Sequence, residues 1–212
     1  MLQLSLDWMN MEEAVDTVRR LYDRIDIIEV GTPMIFDYGL KCVGEMKKLF
    51  PQKIVLADMK IMDAGQQETA MAVKMGADII TVMGAANNLT IEMAVEAAHK
   101  GGKKIMVDLL GVDQIERKAI ALEDMGVDYI CVHTAFDMKQ ESDRPIEELE
   151  RVKRVIRSGR TAIAGGITLK ELDDVMAGAP DVVIVGGGIL NSADLVETAD
   201  QFYKVCGGRS GR

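Results

Sequence analysis

The sequence predicts a single (β/α)8 TIM barrel of the α/β class, and three observations carry the prediction. Short β-branched runs recur eight times in strict alternation with amphipathic stretches, the pattern of parallel strands joined by crossover helices. The 212 residues divide into units of about 26 residues, near the least that a strand, a helix and two short loops occupy. The residues closing the eight runs are Asp7, Glu29, Asp58, Met83, Asp108, His133, Gly165 and Gly186, so five of the eight are ionisable. A closed barrel gathers them at one rim, whereas an open doubly wound sheet spreads them along a wide edge.

The strand-like runs are Leu2 to Leu6, Asp26 to Val30, Lys53 to Ala57, Asp78 to Met83, Lys103 to Leu109, Asp128 to Val132, Thr161 to Ala164 and Asp181 to Val185. After the first, Met11, Ala14, Val15, Val18 and Leu21 fall on one helical face. Asn10 stands ready to cap that helix with Glu13 three residues on, and Asp113 with Glu116 and Thr168 with Glu171 repeat the signature. Gly101, Gly126 and Gly178 lie where helices should stop. The barrel is expected over residues 1–206, with 207–212 a patternless tail. Methionines such as Met71, Met75, Met93 and Met125 read as flexible core filler.

Composition narrows the function classes. The 25 Lys and Arg against 34 Asp and Glu leave a net charge of −9, which works against phosphate backbones and anionic membranes, so nucleic acid and membrane are not expected partners. At 48% hydrophobic residues the chain can build a full core without staples. The amino terminus meets the charge of Asp7 too early for a secretory signal, and no apolar run approaches the ~20 residues of a membrane span. Cys42, Cys131 and Cys206 follow no zinc or disulfide spacing, which suits a reducing, cytoplasmic setting.

The densest chemistry lies in Leu56-Ala57-Asp58-Met59-Lys60-Ile61-Met62-Asp63-Ala64-Gly65. The two-residue spacing of Asp58 and Lys60 puts a carboxylate and an ammonium on one side of a strand. Glu29 ends the neighbouring strand, so Glu29 and Asp58 can direct oxygen ligands at one hard divalent cation such as Mg2+. Of the two histidines, His99 belongs to a helix end as a surface cation. His133 follows an apolar strand and precedes a polar loop, where an imidazole can exchange protons near neutral pH. The glycine pairs Gly165-Gly166 and Gly186-Gly187 follow the last two strands, the usual phosphate cradle of such barrels. The polar stretch Thr134 to Pro145 beside His133 is expected to fold over the substrate as a lid.

These motifs, Leu6-Asp7, Ile27-Ile28-Glu29-Val30-Gly31-Thr32, the 56–65 segment and Val132-His133-Thr134, together resemble the 3-hexulose-6-phosphate synthase family. That family belongs to the orotidine 5′-monophosphate decarboxylase suprafamily, whose Asp-x-Lys-x-x-Asp mark is met by Asp58, Lys60 and Asp63. The resemblance runs from Leu2 to about Phe202. It implies a homodimer in which Asp63 completes the partner's active site, Mg2+ bound by Glu29 and Asp58, and phosphate held by Gly166, Gly186 and Gly187. It implies a reversible aldol addition of formaldehyde to D-ribulose 5-phosphate, with His133 as base, Lys60 as electrostatic partner, and Asp7 and Asp108 positioning the sugar or Lys60.

Three other readings stay open on the sequence. 3-Keto-L-gulonate 6-phosphate decarboxylases share this scaffold, but characteristically carry Glu where this chain has Asp108 and Arg where it has Phe136. A Schiff-base aldolase using Lys60 conflicts with the two aspartates beside it, which would keep the amine protonated. A phosphosugar-binding barrel without turnover is the non-catalytic reading.

Overall fold

The computed structural model describes residues 1–135, 137 and 144–207. Eight parallel strands close into one barrel in sequence order: β1 (Leu2–Leu6), β2 (Ile27–Val30), β3 (Ile54–Ile61), β4 (Ile79–Met83), β5 (Lys104–Asp108), β6 (Tyr129–His133), β7 (Arg160–Ala164) and β8 (Val182–Val185). Closure comes from β1 pairing with β8, Gln3 opposite Ile184. The helices are α1 (Met11–Leu21), α2 (Thr32–Tyr38), α3 (Lys41–Leu49), α4 (Gly65–Lys74), α5 (Asn88–Lys100), α6 (Ile115–Asp124), α7 (Arg144–Val155), α8 (Leu172–Ala177), α9 (Gly187–Leu190) and α10 (Leu195–Cys206). The barrel and its alternation are those read from the sequence. Among the described residues no helix is long and apolar enough to cross a membrane.

Strand alternation divides the apolar residues into two cores. Leu2, Leu4 and Leu6 of β1 point outward and are fully buried beneath helices that contribute Val18, Leu21 and Phe202. Ile27, Leu56, Ile79, Met106, Tyr129 and Val182 fill the barrel interior instead. On β1 the inward set is Gln3, Ser5 and then Asp7, so the interior turns polar toward the carboxyl ends of the strands. That end holds the site.

The local signals were obeyed unevenly. Asn10 and Glu13 form the reciprocal capping box at 3.0 and 3.2 Å. Asp113 and Glu116 do not: Gln114 occupies the cap of α6 and makes no side-chain capping bond. Thr168 and Glu171 do bond, the Glu171 carboxylate accepting from the Thr168 amide and hydroxyl, but in the turn before α8, which begins only at Leu172. Gly126 takes φ 78° just past α6, and Gly101 and Gly178 cap α5 and α8. All three cysteines are buried, and among the described residues no disulfide joins them. Met75 and Met125 pack against the core, whereas Met71 is exposed on α4.

Thr69 of α4 is fully buried, and its hydroxyl finds no hydrogen-bond partner among the described residues. A buried unsatisfied hydroxyl costs about 1–3 kcal/mol, while Val has nearly the same shape and helix propensity. Thr69→Val is therefore expected to raise the thermal midpoint, by about 2–4 °C for each kcal/mol gained. Thermal unfolding followed by circular dichroism checks it, and a lower midpoint would show that the hydroxyl has a partner after all.

Candidate active site

The carboxyl end of β3 departs from a regular strand. Ala57 is paired with Ile80 and Ile61 with Val82, so four steps along β3 match two along β4. The excess is absorbed by a bulge in which Lys60 has φ 47°, left-handed backbone that a residue with a Cβ rarely adopts. Asp58 and Lys60 do share one side, with Lys60 Nζ 2.5 Å from Asp58 Oδ2. Two-residue alternation holds through the bulge, since Ala57, Met59 and Ile61 all face the outer core.

From that pair a continuous polar chain crosses the mouth. Lys60 Nζ lies 3.9 Å from Asp108 Oδ2 at the end of β5. The same carboxylate oxygen is 2.7 Å from Nδ1 of His133 at the end of β6, and Asp108 Oδ1 accepts from the Leu110 amide at 2.9 Å. Asp108 thus fixes the imidazole through Nδ1 and leaves Nε2 as the nitrogen for exchange with a substrate. On the other flank, Glu29 Oε2 accepts from Gln3 Nε2 at 2.6 Å and Asp7 Oδ2 accepts from Ser5 Oγ at 2.8 Å. Asp58 is held further by the hydroxyls of Thr32, 2.8 Å from Oδ2, and Thr81, 2.8 Å from Oδ1.

Electrostatics sort these groups by their surroundings. Burial and the charges of Asp58 and Asp7 push the Glu29 carboxyl up to about 8. Burial also raises Asp7, against the hydrogen bond from Ser5. Burial alone would raise Asp108, but the hydrogen bond and charge of His133, with the Lys60 cation, hold it below its ordinary value. For His133 burial pulls downward and Asp108 outweighs it, so the imidazole titrates above its ordinary value. Lys60 is likewise raised, because Asp58 and Asp108 overcome its burial. A raised lysine is a poor nucleophile, which counts against a Schiff-base role.

Asp7, Glu29 and Asp58 crowd together with one ammonium, and Glu29 answers by holding its proton to unusually high pH. Buried hard-oxygen donors that repel one another fit a divalent cation such as Mg2+. Among the described residues no group of three or more His, Cys, Asp or Glu side chains is placed to hold a metal ion by itself. Glu29 and Asp58 would therefore leave positions for substrate and water oxygens.

The two glycine turns border this mouth. Gly165 has φ 104°, and a Cβ there would sit 2.5 Å from the Thr134 carbonyl oxygen. A Cβ on Gly188, after Gly186 and Gly187, would lie 2.2 Å from the Ile167 carbonyl oxygen, so the turns after β7 and β8 pack directly together. A Cβ built on Gly186 comes within 3.9 Å of Asp7 Oδ2, which places the glycine turns beside the acids. Asp63 stands apart within its own chain, exposed, with Oδ1 accepting from the Ala64 amide at 2.7 Å. His99, in the last turn of α5, lies 2.9 Å from Asp128 on the surface. Within the expected lid, Phe136 and residues 138–143 lie outside the described residues, as do residues 208–212 of the tail. A cavity of about 270 Å3 opens at the opposite end of the barrel between Lys104, Glu123, Asp128 and Arg160. Glu123 there is already engaged by the amides of Arg157, Ser158 and Gly159.

Sequence reasoning missed the supporting polar groups. Gln3 and Ser5 left a signal, since polar residues at alternate positions of an apolar strand must face something polar. Thr32 and Thr81 left none, because threonine is an ordinary strand and helix-start residue.

Fold and site together are those of a (β/α)8-barrel enzyme. The chain belongs to the orotidine 5′-phosphate decarboxylase / HUMPS family, which it matches over residues 1–202. It is 50% identical over 204 residues to the 3-hexulose-6-phosphate synthase of Bacillus subtilis, covering 96% of this chain and 97% of that one. The structure of 3-hexulose-6-phosphate synthase from Salmonella typhimurium superposes with a TM-score of 0.94 at 38% identity, over 98% of both chains. That of 3-keto-L-gulonate-6-phosphate decarboxylase from Vibrio cholerae superposes with a TM-score of 0.87 at 25% identity, over 98% of this chain and 97% of that one. The resemblance carried by the motifs therefore extends over nearly the whole chain.

Proposed function

We propose that this protein is an aldehyde-lyase that catalyses the reversible, Mg2+-dependent aldol addition of formaldehyde to D-ribulose 5-phosphate, giving D-arabino-hex-3-ulose 6-phosphate through a 1,2-enediolate. The observation that carries the reading is the continuous chain His133, Asp108, Lys60, Asp58 across the barrel mouth, in a sequence half identical to a protein of that name. The glycine turns at Gly165, Gly166, Gly186 and Gly187 would receive the 5-phosphate on backbone amides. His133 Nε2 takes the proton from C1, and the electron pair moves onto the C2 carbonyl oxygen to form the enediolate. C1 then attacks the formaldehyde carbon, and the resulting alkoxide takes a proton as the C2 carbonyl is restored.

Asp108 orients His133 and stabilises its protonated form during transfer. The Lys60 ammonium stands beside the place where negative charge develops, and it is already ion-paired, so little reorganisation is required. Glu29 and Asp58 would hold Mg2+, which when bound supplies further positive charge against the sugar oxygens. Asp7 would bond the sugar hydroxyls.

The same reading makes the active unit a homodimer with Asp63 reaching the partner's site. In support, Trp8 after β1, Phe36 on α2 and Met62 next to Asp63 are exposed at 78%, 83% and 52%, large apolar side chains of the kind a second copy would cover. Three buried cysteines with no disulfide among the described residues suit a cytoplasmic setting.

Retention of Asp108, and the higher identity to synthases than to the decarboxylase, favour the aldol reaction over decarboxylation. One assay separates them. Formaldehyde consumption with ribulose 5-phosphate and Mg2+ is expected to exceed turnover of 3-keto-L-gulonate 6-phosphate by about 100-fold or more, the scale that distinct transition-state contacts supply. Faster decarboxylation, or no turnover of either substrate, overturns the proposal.

A further inference from the structure

Of the six closing residues Asp7, Glu29, Asp58, Met83, Asp108 and His133, Met83 at the end of β4 is the one without an ionisable group. The contribution of β4 is one step lower. Thr81 is buried on the barrel interior, 4% exposed, and its hydroxyl meets both halves of the β3 bulge. Oγ1 accepts the Lys60 backbone N–H at 2.9 Å and lies 2.8 Å from Asp58 Oδ1. A hydroxyl has one proton, and a carboxylate can only accept it, so the direction of both bonds is fixed: Thr81 donates to Asp58 and receives from Lys60.

We propose that Thr81 is a positioning residue of the active site, whose single hydroxyl holds Lys60 in its left-handed backbone and sets the rotation of the Asp58 carboxylate. The inference rests on the proposed roles of Asp58 and Lys60. Its physical content is separate. A left-handed lysine has no local reason to persist, and its backbone N–H would otherwise be an unpaired donor inside a bulge. The bond from Thr81 satisfies that donor and anchors the carboxylate through Oδ1. The other oxygen, Oδ2, is then presented to the Lys60 ammonium. Thr32 holds Asp58 from the β2 side, but it makes no bond to the Lys60 backbone, so it cannot replace Thr81 in shaping the bulge.

The test compares Thr81→Val, which keeps the shape and deletes the hydroxyl, with Thr81→Ser, which keeps the hydroxyl and deletes the methyl. Thr81→Val is expected to lower kcat for formaldehyde addition by about 100-fold, the scale of a small misplacement of reacting groups, with KM for ribulose 5-phosphate changed less than about threefold. Thr81→Ser is expected to recover activity to within about fivefold of the wild type, since both hydrogen bonds can re-form. A wild-type kcat in Thr81→Val, or a Thr81→Ser protein as impaired as Thr81→Val, overturns the proposal. Should Thr81→Val fail to fold, Thr81→Ala takes its place in the same comparison. A crystal structure of the hydroxyl-less variant decides independently of the assigned reaction. Lys60 is expected to leave φ near 47° and its ammonium to leave Asp58. If both stay, Thr81 does not position them, even where the wild-type protein proves to catalyse another reaction.

Discussion

Lys60→Ala is expected to reduce turnover by at least about 10³-fold while the barrel remains folded. The wild-type ammonium lies 2.5 Å from Asp58 and 3.9 Å from Asp108. Truncation takes the lysine's positive charge out of a mouth that also holds Glu29 and Asp7. The four acids then repel one another and take up protons to relieve it, so the group that would stabilise an enediolate is replaced by neutral carboxylic acids. Lys60→Arg is not expected to rescue, because a planar, longer guanidinium cannot occupy the point position between two carboxylates. Ala and Arg both keep a Cβ on left-handed backbone, so neither relieves strain that Lys tolerates. Steady-state kinetics alongside far-UV circular dichroism checks this, and a folded Lys60→Ala protein within tenfold of wild-type turnover would remove Lys60 from the mechanism.

The second large effect is on stability against pH in the presence of a chelator. Glu29 has its carboxyl pushed up to about 8 in the folded protein, against 4.5 for an ordinary glutamate. Between those values the folded state keeps a proton that the unfolded chain has released. Stability must then fall as pH rises through that window and level off above it. Asp7, also raised, acts in the same direction. So does His133: raised by Asp108, its contribution is complete below 6.5 and is lost as pH rises through the folded value. Asp108 has the opposite sign, its stabilisation present above 3.8 and lost only as pH falls below that value. A tenfold difference in proton affinity between folded and unfolded chain is worth about 1.4 kcal/mol, so the raised acids together give on the order of a few kcal/mol, or about 10 °C in the thermal midpoint of a chain this size. We expect a chelated protein to lose stability steadily from pH 5 to pH 8. Added Mg2+ should restore much more of it at pH 8 than at pH 5, because the cation binds the ionised acids. A midpoint that is flat across this range, or a Mg2+ effect independent of pH, would argue against the crowded acid cluster and its metal.

How much could be read beforehand differs between the fold and the site. The eight strands were legible because each is an apolar, β-branched run buried on two faces, and hydrophobic burial is written residue by residue. Asp7, Glu29, Asp58, Asp108 and His133 were legible for a related reason. A charged group directly after an apolar strand stands out against its neighbours, and parallel strands of one barrel put all such ends at one rim. The two failed or displaced caps, at Asp113 and Thr168, show the limit of local rules. A capping pair stabilises a helix start by about 1 kcal/mol, and where the neighbouring loop prefers another turn, packing outweighs it.

The order of residues along the chain is therefore enough to set the number and succession of the strands, the rim on which the chemistry sits, and the family. These follow from periodicity and composition, which survive without knowledge of long-range contacts. How the chemical groups are held was left to the folded barrel. That Asp108 takes Nδ1 of His133, that Gln3 engages Glu29, and that β3 bulges with a left-handed Lys60 beside Asp58 all depend on which strands become neighbours and in what register. Thr81 lies 21 residues from Lys60 along the chain, and it gains its meaning only when β4 closes against β3. Hydrogen bonds act over about 3 Å, so the partner of each side chain is fixed by closure of the barrel and by no local pattern.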